Sequence, residues 1–320
     1  MPNILELKNI HQTYKNEEGV NRPVLDDVDF MLQEGTCRAI LGMSGCGKTT
    51  LCRIMAGIEK PSGGLVRYKG EKINWKSISR NKIQMVFQNS LDAVPGYMTS
   101  YEILKEPLKN FFKFSKEEIW SKIVEMLKAV GLSGEYTGLY PRQLSGGELQ
   151  RICILRALMA EPEILILDES LSGLDIFTEN KLLNYLSDIK VKKHLSIIFI
   201  SHSIESAYYI ADGITVMDKG RIIEEIDDIS LFSELCHPFT SRLMHGLPIS
   251  ASATQDYNFY LERFKKGDTR LVTVKPGHRI ELLIEYILIT VGFRNHPYYL
   301  RSGWLCFLQS LRPQCGEPED

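Results

Sequence analysis

The sequence predicts an α/β protein built on a mixed, largely parallel core sheet, and three observations carry that expectation. A short apolar strand, Cys37-Arg38-Ala39-Ile40-Leu41, runs straight into a glycine-rich loop that opens a helix. Two later runs, Ile164–Leu167 and Ser196–Ile200, are solidly apolar. That is the pattern of strands in a parallel sheet covered on both faces. The first 40 residues differ. There, Ile4–Leu7 and Val28–Leu32 show partial two-residue alternation, which predicts β-structure.

The remaining elements follow in order. Asn16-Glu17-Glu18-Gly19 punctuates the N-terminal strands as a turn. A helix is expected from Thr49 to Ile58, ending near Lys60-Pro61-Ser62-Gly63-Gly64. Residues 100–160 read as mainly helical. Ser115 with Glu117 and Glu118 marks a helix start, and Ile119, Ile123, Met126, Leu127 and Val130 then recur at helical spacing. Residues 246–256 change composition and read as a linker, and a tail follows.

Composition excludes several classes. At 320 residues the chain holds one large or two small domains, and 44% hydrophobic residues suffice for a real core. The formal net charge of −2 and the interspersed acids and bases give no footprint for nucleic acid. Seven cysteines form no CxxC pair, and Cys37, Cys46, Cys52 and Cys153 are expected as reduced, mostly buried thiols of a cytosolic protein. The N-terminus lacks the apolar region of a signal peptide, and no apolar run is long enough to span a bilayer. The nearest candidate, Ile280–Phe293, carries Glu281 and Glu285 and reads as a packed helix or strand.

The chemistry centres on Gly42-Met43-Ser44-Gly45-Cys46-Gly47-Lys48-Thr49-Thr50, which fits GxxxxGK[ST]. Its glycines let backbone amides turn inward around phosphate oxygens, and the helix behind it offers its positive end to the same anion. Lys48 is the candidate for the β- and γ-phosphates of ATP, and Thr49 for Mg²⁺. The strand before Asp168-Glu169 delivers Asp168 as a second Mg²⁺ candidate and Glu169 as a general base for water. Leu144-Ser145-Gly146-Gly147-Glu148 opens another helix and forms a second anion site. One chain thus has two phosphate-binding ends but one lysine-bearing loop. The simplest geometry is a dimer with each nucleotide sandwiched between the loop of one subunit and the second site of the other.

These motifs, with Ser172-Gly173-Leu174-Asp175 and Ser201-His202, resemble the nucleotide-binding subunit of an ABC transporter from about residue 3 to 279. The resemblance implies a P-loop ATPase domain over 1–245. That domain would carry an N-terminal antiparallel β subdomain and a helical signature subdomain at about 90–160. A C-terminal extension would occupy 246–279 and a tail 280–320. It also implies an adenine-stacking role for Tyr14, a Mg²⁺ and water contact for Gln88, a dimer-linking role for Asp175 and a γ-phosphate contact for His202. Glu148 stands where Gln is commoner, and Ser203 where Asp is common; neither removes a catalytic group.

Phe87–Pro95 with Glu102–Leu108, the His237-Pro238-Phe239-Thr240 element, and Val274-Lys275-Pro276-Gly277-His278 resemble the dipeptide, oligopeptide and nickel importer branch. Asp92-Ala93-Val94-Pro95 leans slightly towards nickel-type sequences. The implied partners are a homologous but non-identical ATPase subunit, integral membrane permease subunits gripped around residues 88–107, and indirectly an extracytoplasmic solute-binding protein. The implied location is peripheral, on the cytoplasmic face of the membrane. Some relatives carry an iron–sulfur cluster, but only Cys306 and Cys315 follow the His237 element, so none is expected. Cys46, inside the loop, is expected to be an alkylation handle that ATP protects. The competing classes are a non-transport ABC ATPase, an exporter ATPase, and a regulatory module that binds ATP without turnover. The absence of a coiled-coil insertion or second cassette, the two C-terminal stretches, and the presence of Glu169 and His202 argue against them in turn.

Overall fold

The structure, a computed structural model, describes residues 2–15, 19–73, 81–234, 237, 239–240, 269–275 and 277–283. Its strands are β1 (Asn3–Lys15), β2 (Asn21–Gln33), β3 (Cys37–Leu41), β4 (Gly63–Tyr68), β5 (Glu71–Lys72), β6 (Ile83–Val86), β7 (Ile164–Asp168), β8 (Ser196–Ile200), β9 (Gly213–Asp218), β10 (Arg221–Ile226), β11 (Thr269–Lys275) and β12 (His278–Leu283). Its helices are α1 (Lys48–Met55), α2 (Ser90–Ala93), α3 (Ser100–Phe111), α4 (Lys116–Ala129), α5 (Gly146–Met159), α6 (Ile176–Lys193) and α7 (Ile204–Ile210).

The strands form two sheets. One is four-stranded and antiparallel, in the order β2-β1-β4-β5. The other has the order β11-β12-β10-β9-β3-β8-β7-β6 and is mixed. Its β9-β3-β8-β7-β6 portion is parallel, and β10, β12 and β11 add antiparallel pairs at one edge. The expected α/β class with a mixed core sheet and an N-terminal antiparallel sheet is therefore what the chain adopts.

Alternation along the buried strands divides the interior into two cores. Ala39, Leu41, Leu165, Leu167, Ile197 and Phe199 face a core shared with α3–α7. Ile40, Ile164, Ile166, Ile198 and Ile200 face the opposite core, shared with α1 and the antiparallel sheet. β3, β7 and β8 are buried at every position, which is why they read as continuous apolar runs. β1 and β2 have one face in the core and one outside, which is why their alternation was partial.

Helix ends are set by local chemistry. Ser115 caps α4 with a full capping box to Glu118, as its sequence signature indicates. α1 stops at Met55, short of Ile58. Gly57 adopts φ +72, and the Gly57 and Ile58 amides bond back to the Ile54 and Arg53 carbonyls, closing the helix as a left-handed cap. The turn at 16–18, the linker at 246–256 and the chain beyond Leu283 lie outside the described residues. β12 includes Ile280–Leu283, so the start of the Ile280–Phe293 stretch is strand and the position chosen for the start of the tail falls inside it.

Two separated motifs meet on one buried carboxyl group. The Glu224 side chain on β10 accepts the His237 amide at 3.2 Å and pairs with His278 Nε2 at 3.0 Å. All three residues are buried. The Phe239 amide donates to His237 Nδ1 at 3.2 Å, a bond that needs the neutral ring. Next to it Glu225, buried, pairs with Arg279 and accepts the Thr215 hydroxyl at 3.0 Å.

Two outcomes follow. Ile198→Ala empties a fully buried position in the second core and is expected to cost about 2–5 kcal/mol, read as a lower urea midpoint. Burial depresses His237 to about 4 from its ordinary 6.5. The unfolded chain takes up this proton first, so stability is full above about pH 6.5 and falls as pH drops towards 4. His237→Gln is expected to flatten the melting-temperature profile between pH 6.5 and 5; an unchanged slope would exclude His237 as its source.

Candidate functional site

The loop after β3 owes its shape to three glycines. Gly42 has φ +155, and a Cβ there would sit 2.4 Å from the Met217 carbonyl oxygen. Gly47 has φ +107, and its Cβ would meet Leu25 at 2.8 Å. Gly45, at φ +80, faces open space, so conformation alone requires it. Gly47 is also the N-cap of α1 and brings no side-chain cap. The first amides of α1 are thereby left for an external anion. Lys48 Nζ donates to the carbonyls of Gly42 at 2.8 Å and Met43 at 3.0 Å.

Cys46 is a correction. Its thiol is 4% exposed, lies against Gly42 and is pushed up in pKa by burial. It faces the core beneath the loop, so it is a packing residue and not an accessible alkylation handle.

The second half of the site is built where β7 ends. Asp168, 2% exposed, accepts the Thr49 hydroxyl at 3.3 Å. Burial first, and the neighbouring Glu169 charge, raise its pKa against that hydrogen bond. Glu169 then takes φ +48, a left-handed conformation that a non-glycine residue adopts at a cost. Its amide bonds to Ile200 O at 3.1 Å, and Ser172 donates to its carbonyl at 2.6 Å. The turned carboxylate meets three groups from three other segments. His202 Nε2 lies at 2.7 Å, Gln88 Nε2 donates at 2.9 Å, and Lys48 Nζ stands at 3.7 Å. The structure thus gathers Lys48, Thr49, Gln88, Asp168, Glu169 and His202, which are dispersed over 155 positions of sequence. The hydroxyl and carboxylate of Thr49 and Asp168, with the Gln88 amide nearby, are hard oxygen donors of the kind Mg²⁺ takes, and a cation would offset the charge that burial penalises at Asp168.

Other expected residues lie apart from this cluster. Tyr14 is 37% exposed near the end of β1, and its hydroxyl donates to Glu59 Oε1 at 2.5 Å. A further hydrogen bond links it to the Thr50 side chain, so it borders α1. Asp175 caps α6, accepting the Phe177 and Thr178 amides at 3.1 and 3.0 Å. Leu144–Glu148 enters α5, with Ser145 as its N-cap. Among the described residues no hydrogen bond or ion pair joins this segment to the loop at 42–50. Sequence reasoning missed Glu59 and Tyr136, whose hydroxyl bonds Glu148, and named Ser172 only as part of a motif, without its bond to the Glu169 carbonyl. Glu59 and Tyr136 carry no local pattern. Ser172 did carry one, three residues after Glu169, where a hydroxyl can reach back to a carbonyl.

The chain is similar to known proteins. Residues 25–172 match the family model described as ABC transporter. The chain is 39% identical over 229 residues to the dipeptide transport ATP-binding protein DppF of Haemophilus influenzae, covering 70% of each chain. It is 36% identical to the nickel import ATP-binding protein NikE of Shigella boydii serotype 4, over 73% of this chain and 91% of that one. Among solved structures, a dimeric ATP-binding cassette in a post-hydrolysis state with ADP and Pi superposes with a TM-score of 0.65 at 30% identity. That match covers 69% of this chain and 97% of the other. The cbiO1 structure from Clostridium perfringens, part of an ABC transporter complex, gives 0.62 at 26% identity, covering 77% and 97%. With a family model over the phosphate loop and the β7 carboxylates, and relatives matched across most of their length, the chain belongs to the ABC transporter family as an ATP-binding, ATP-hydrolysing subunit.

Proposed function

We propose that this subunit energises import of peptides or nickel, hydrolysing ATP with Glu169 as general base. The observation that carries the reading is the Glu169 carboxylate, turned out of β7 by a left-handed backbone and held between Gln88, His202 and Lys48. Such a group, fixed at a strand end beside a phosphate loop, is placed to take a proton from water. Lys48 and the open α1 amides bind the phosphates, exchanging the Gly42 and Met43 carbonyls for phosphate oxygens. Thr49 and Asp168, with Gln88, hold Mg²⁺, which supplies charge neutralisation at the phosphates. His202 orients Glu169 and reaches the γ-phosphate; Tyr14 stacks on the adenine.

Leu144–Glu148 completes the site of a neighbouring ATPase subunit, with Asp175 at the same interface. A non-identical neighbour, permease subunits gripped around residues 88–107 and an extracytoplasmic binding protein complete the assembly. No helix among the described residues is long and apolar enough to cross a membrane, which suits a peripheral subunit at the cytoplasmic face. The cargo reading rests on the DppF and NikE relatives, and binding of dipeptides against Ni²⁺ chelates by the complex's binding protein separates the two.

Glu169→Gln is expected to retain ATP binding while turnover falls about 10²–10⁴-fold; turnover near the unmodified rate would remove Glu169 from the role. Asp168→Asn keeps an acceptor for Thr49 but removes a carboxylate whose ionised form burial disfavours. Because its folded pKa is raised, the ionised group costs stability above that pKa. The nucleotide-free variant should therefore melt higher at pH 7 and lose Mg²⁺-dependent turnover. A lower melting temperature would show that the carboxylate is structural.

A further inference from the structure

The two helix ends assigned to phosphate differ in one respect. α1 has no side-chain cap, whereas α5 is capped by its own residues. The Glu148 amide donates to Ser145 Oγ at 3.3 Å, and the Ser145 amide donates to Glu148 Oε2 at 2.8 Å. The other carboxylate oxygen, Oε1, accepts the Tyr136 hydroxyl at 2.6 Å. Tyr136 stands on the 3₁₀ turn Gly134–Gly138 and packs its ring against the helical core.

Two donors thus converge on the two oxygens of one side chain. A glutamine has one acceptor oxygen and would turn its NH₂ towards one of those donors. The hydrogen bond from Tyr136 first, then those from Ser145, hold the Glu148 carboxyl below its usual range, so it stays charged. A fixed negative charge therefore stands one turn into the self-capped helix whose N-terminal end is to receive the γ-phosphate. Gly146 faces open space at that end, and Gly147 lies against Leu174.

We propose that Tyr136 is a positioning residue for the signature half of the composite nucleotide site. By tying Oε1 to the 3₁₀ turn it keeps the Glu148 charge on the Ser145 amide, so that the Ser145 hydroxyl and the Gly146 and Gly147 amides meet the γ-phosphate with that charge held to one side. Released from Tyr136, the carboxylate is free to swing from the Ser145 amide over the Gly146 and Gly147 amides, where it competes with the phosphate and repels it. The inference rests on the reading of Leu144–Glu148 as the partner-facing half of the site.

The test is steady-state ATPase of the full chain in its membrane complex, at varied ATP. Tyr136→Phe keeps the ring and is expected to raise KM for ATP about tenfold, the scale of one hydrogen bond to a charged group. Tyr136→Phe/Glu148→Gln removes the freed charge and should lower KM severalfold relative to Tyr136→Phe alone, as expected if charge repulsion is the cause. Loss of packing would not be rescued by the second change. An unaltered KM in Tyr136→Phe, or a double variant no better than the single, overturns the proposal. Ser145→Arg checks the underlying reading separately. Retained turnover there would remove Leu144–Glu148 from the nucleotide site, whatever Tyr136 does.

Discussion

β7 is buried on both faces from Ile164 to Asp168, and at its end the chain places two carboxylates in succession. Extended backbone would send consecutive side chains to opposite faces of the sheet. The left-handed turn at Glu169 breaks that alternation and brings its carboxylate to His202, Gln88 and Lys48. The cost of that conformation, of order 1–3 kcal/mol, is offset by the amide bond to Ile200 and by the Ser172 hydroxyl on the Glu169 carbonyl. Parallel pairing of β7 with β8 and β6 then fixes the rest. His202 follows the end of β8 and Gln88 follows the end of β6, so three adjacent strands finish at the same edge of the sheet and each supplies one group. This is the crevice at strand C-termini where α/β sheets place ligands.

The loop at 42–50 works against this frame by leaving groups unsatisfied. Gly47 gives α1 its left-handed entry and withholds a side-chain cap, so the helix end keeps its capacity for an anion. Lys48 occupies itself with two loop carbonyls and stands near Glu169. These bonds occupy two of the three donors of the ammonium group, and on the proposed reading phosphate oxygens take the place of the carbonyls without loss of hydrogen bonds. Asp168 carries the opposite imbalance, a buried charge opposed only by Thr49 and distant cations. An uncompensated acceptor and an uncompensated donor set thus lie side by side, the condition in which binding releases cost on both.

Much of this was legible in the sequence because the relevant signals are local. A glycine that must take positive φ, a lysine one residue into a helix, and acids at the end of an apolar run each leave a mark within ten residues. So do Ser115 with Glu118 and the apolar runs of β3, β7 and β8, whose two-sided burial removes alternation. What stayed illegible is long-range or orientational. Cys46 was expected both as a buried thiol and, from its place in the loop, as an alkylation handle, and its packing against Gly42 decides for burial. Glu59 reaches Tyr14 across 45 positions of chain. Helix α1 ended early because Gly57 offers the left-handed cap four residues before the more conspicuous Pro61.

The C-terminal motifs show how resemblance and physics divide the work. As sequence, the His237 element and the Gly277-His278 ending were markers of a branch with no stated task. In the fold they bond the same Glu224 side chain, one through a backbone amide and one through an imidazole, from positions 41 apart. β12 lies beside β10, and its His278 and Arg279 meet consecutive glutamates, Glu224 and Glu225. A buried carboxyl group left with one of these partners missing would be costly. The pairings therefore select a single register for β12, since a slip of one residue would exchange His278 and Arg279 between the two glutamates and turn each side chain to the wrong face. That requirement couples the hairpin to β10, which is joined through β9 to β3 and so to the phosphate loop. β12 is thus connected to the site through hydrogen-bonded strands, with Met217 on β9, whose carbonyl closes against Gly42, as the last contact.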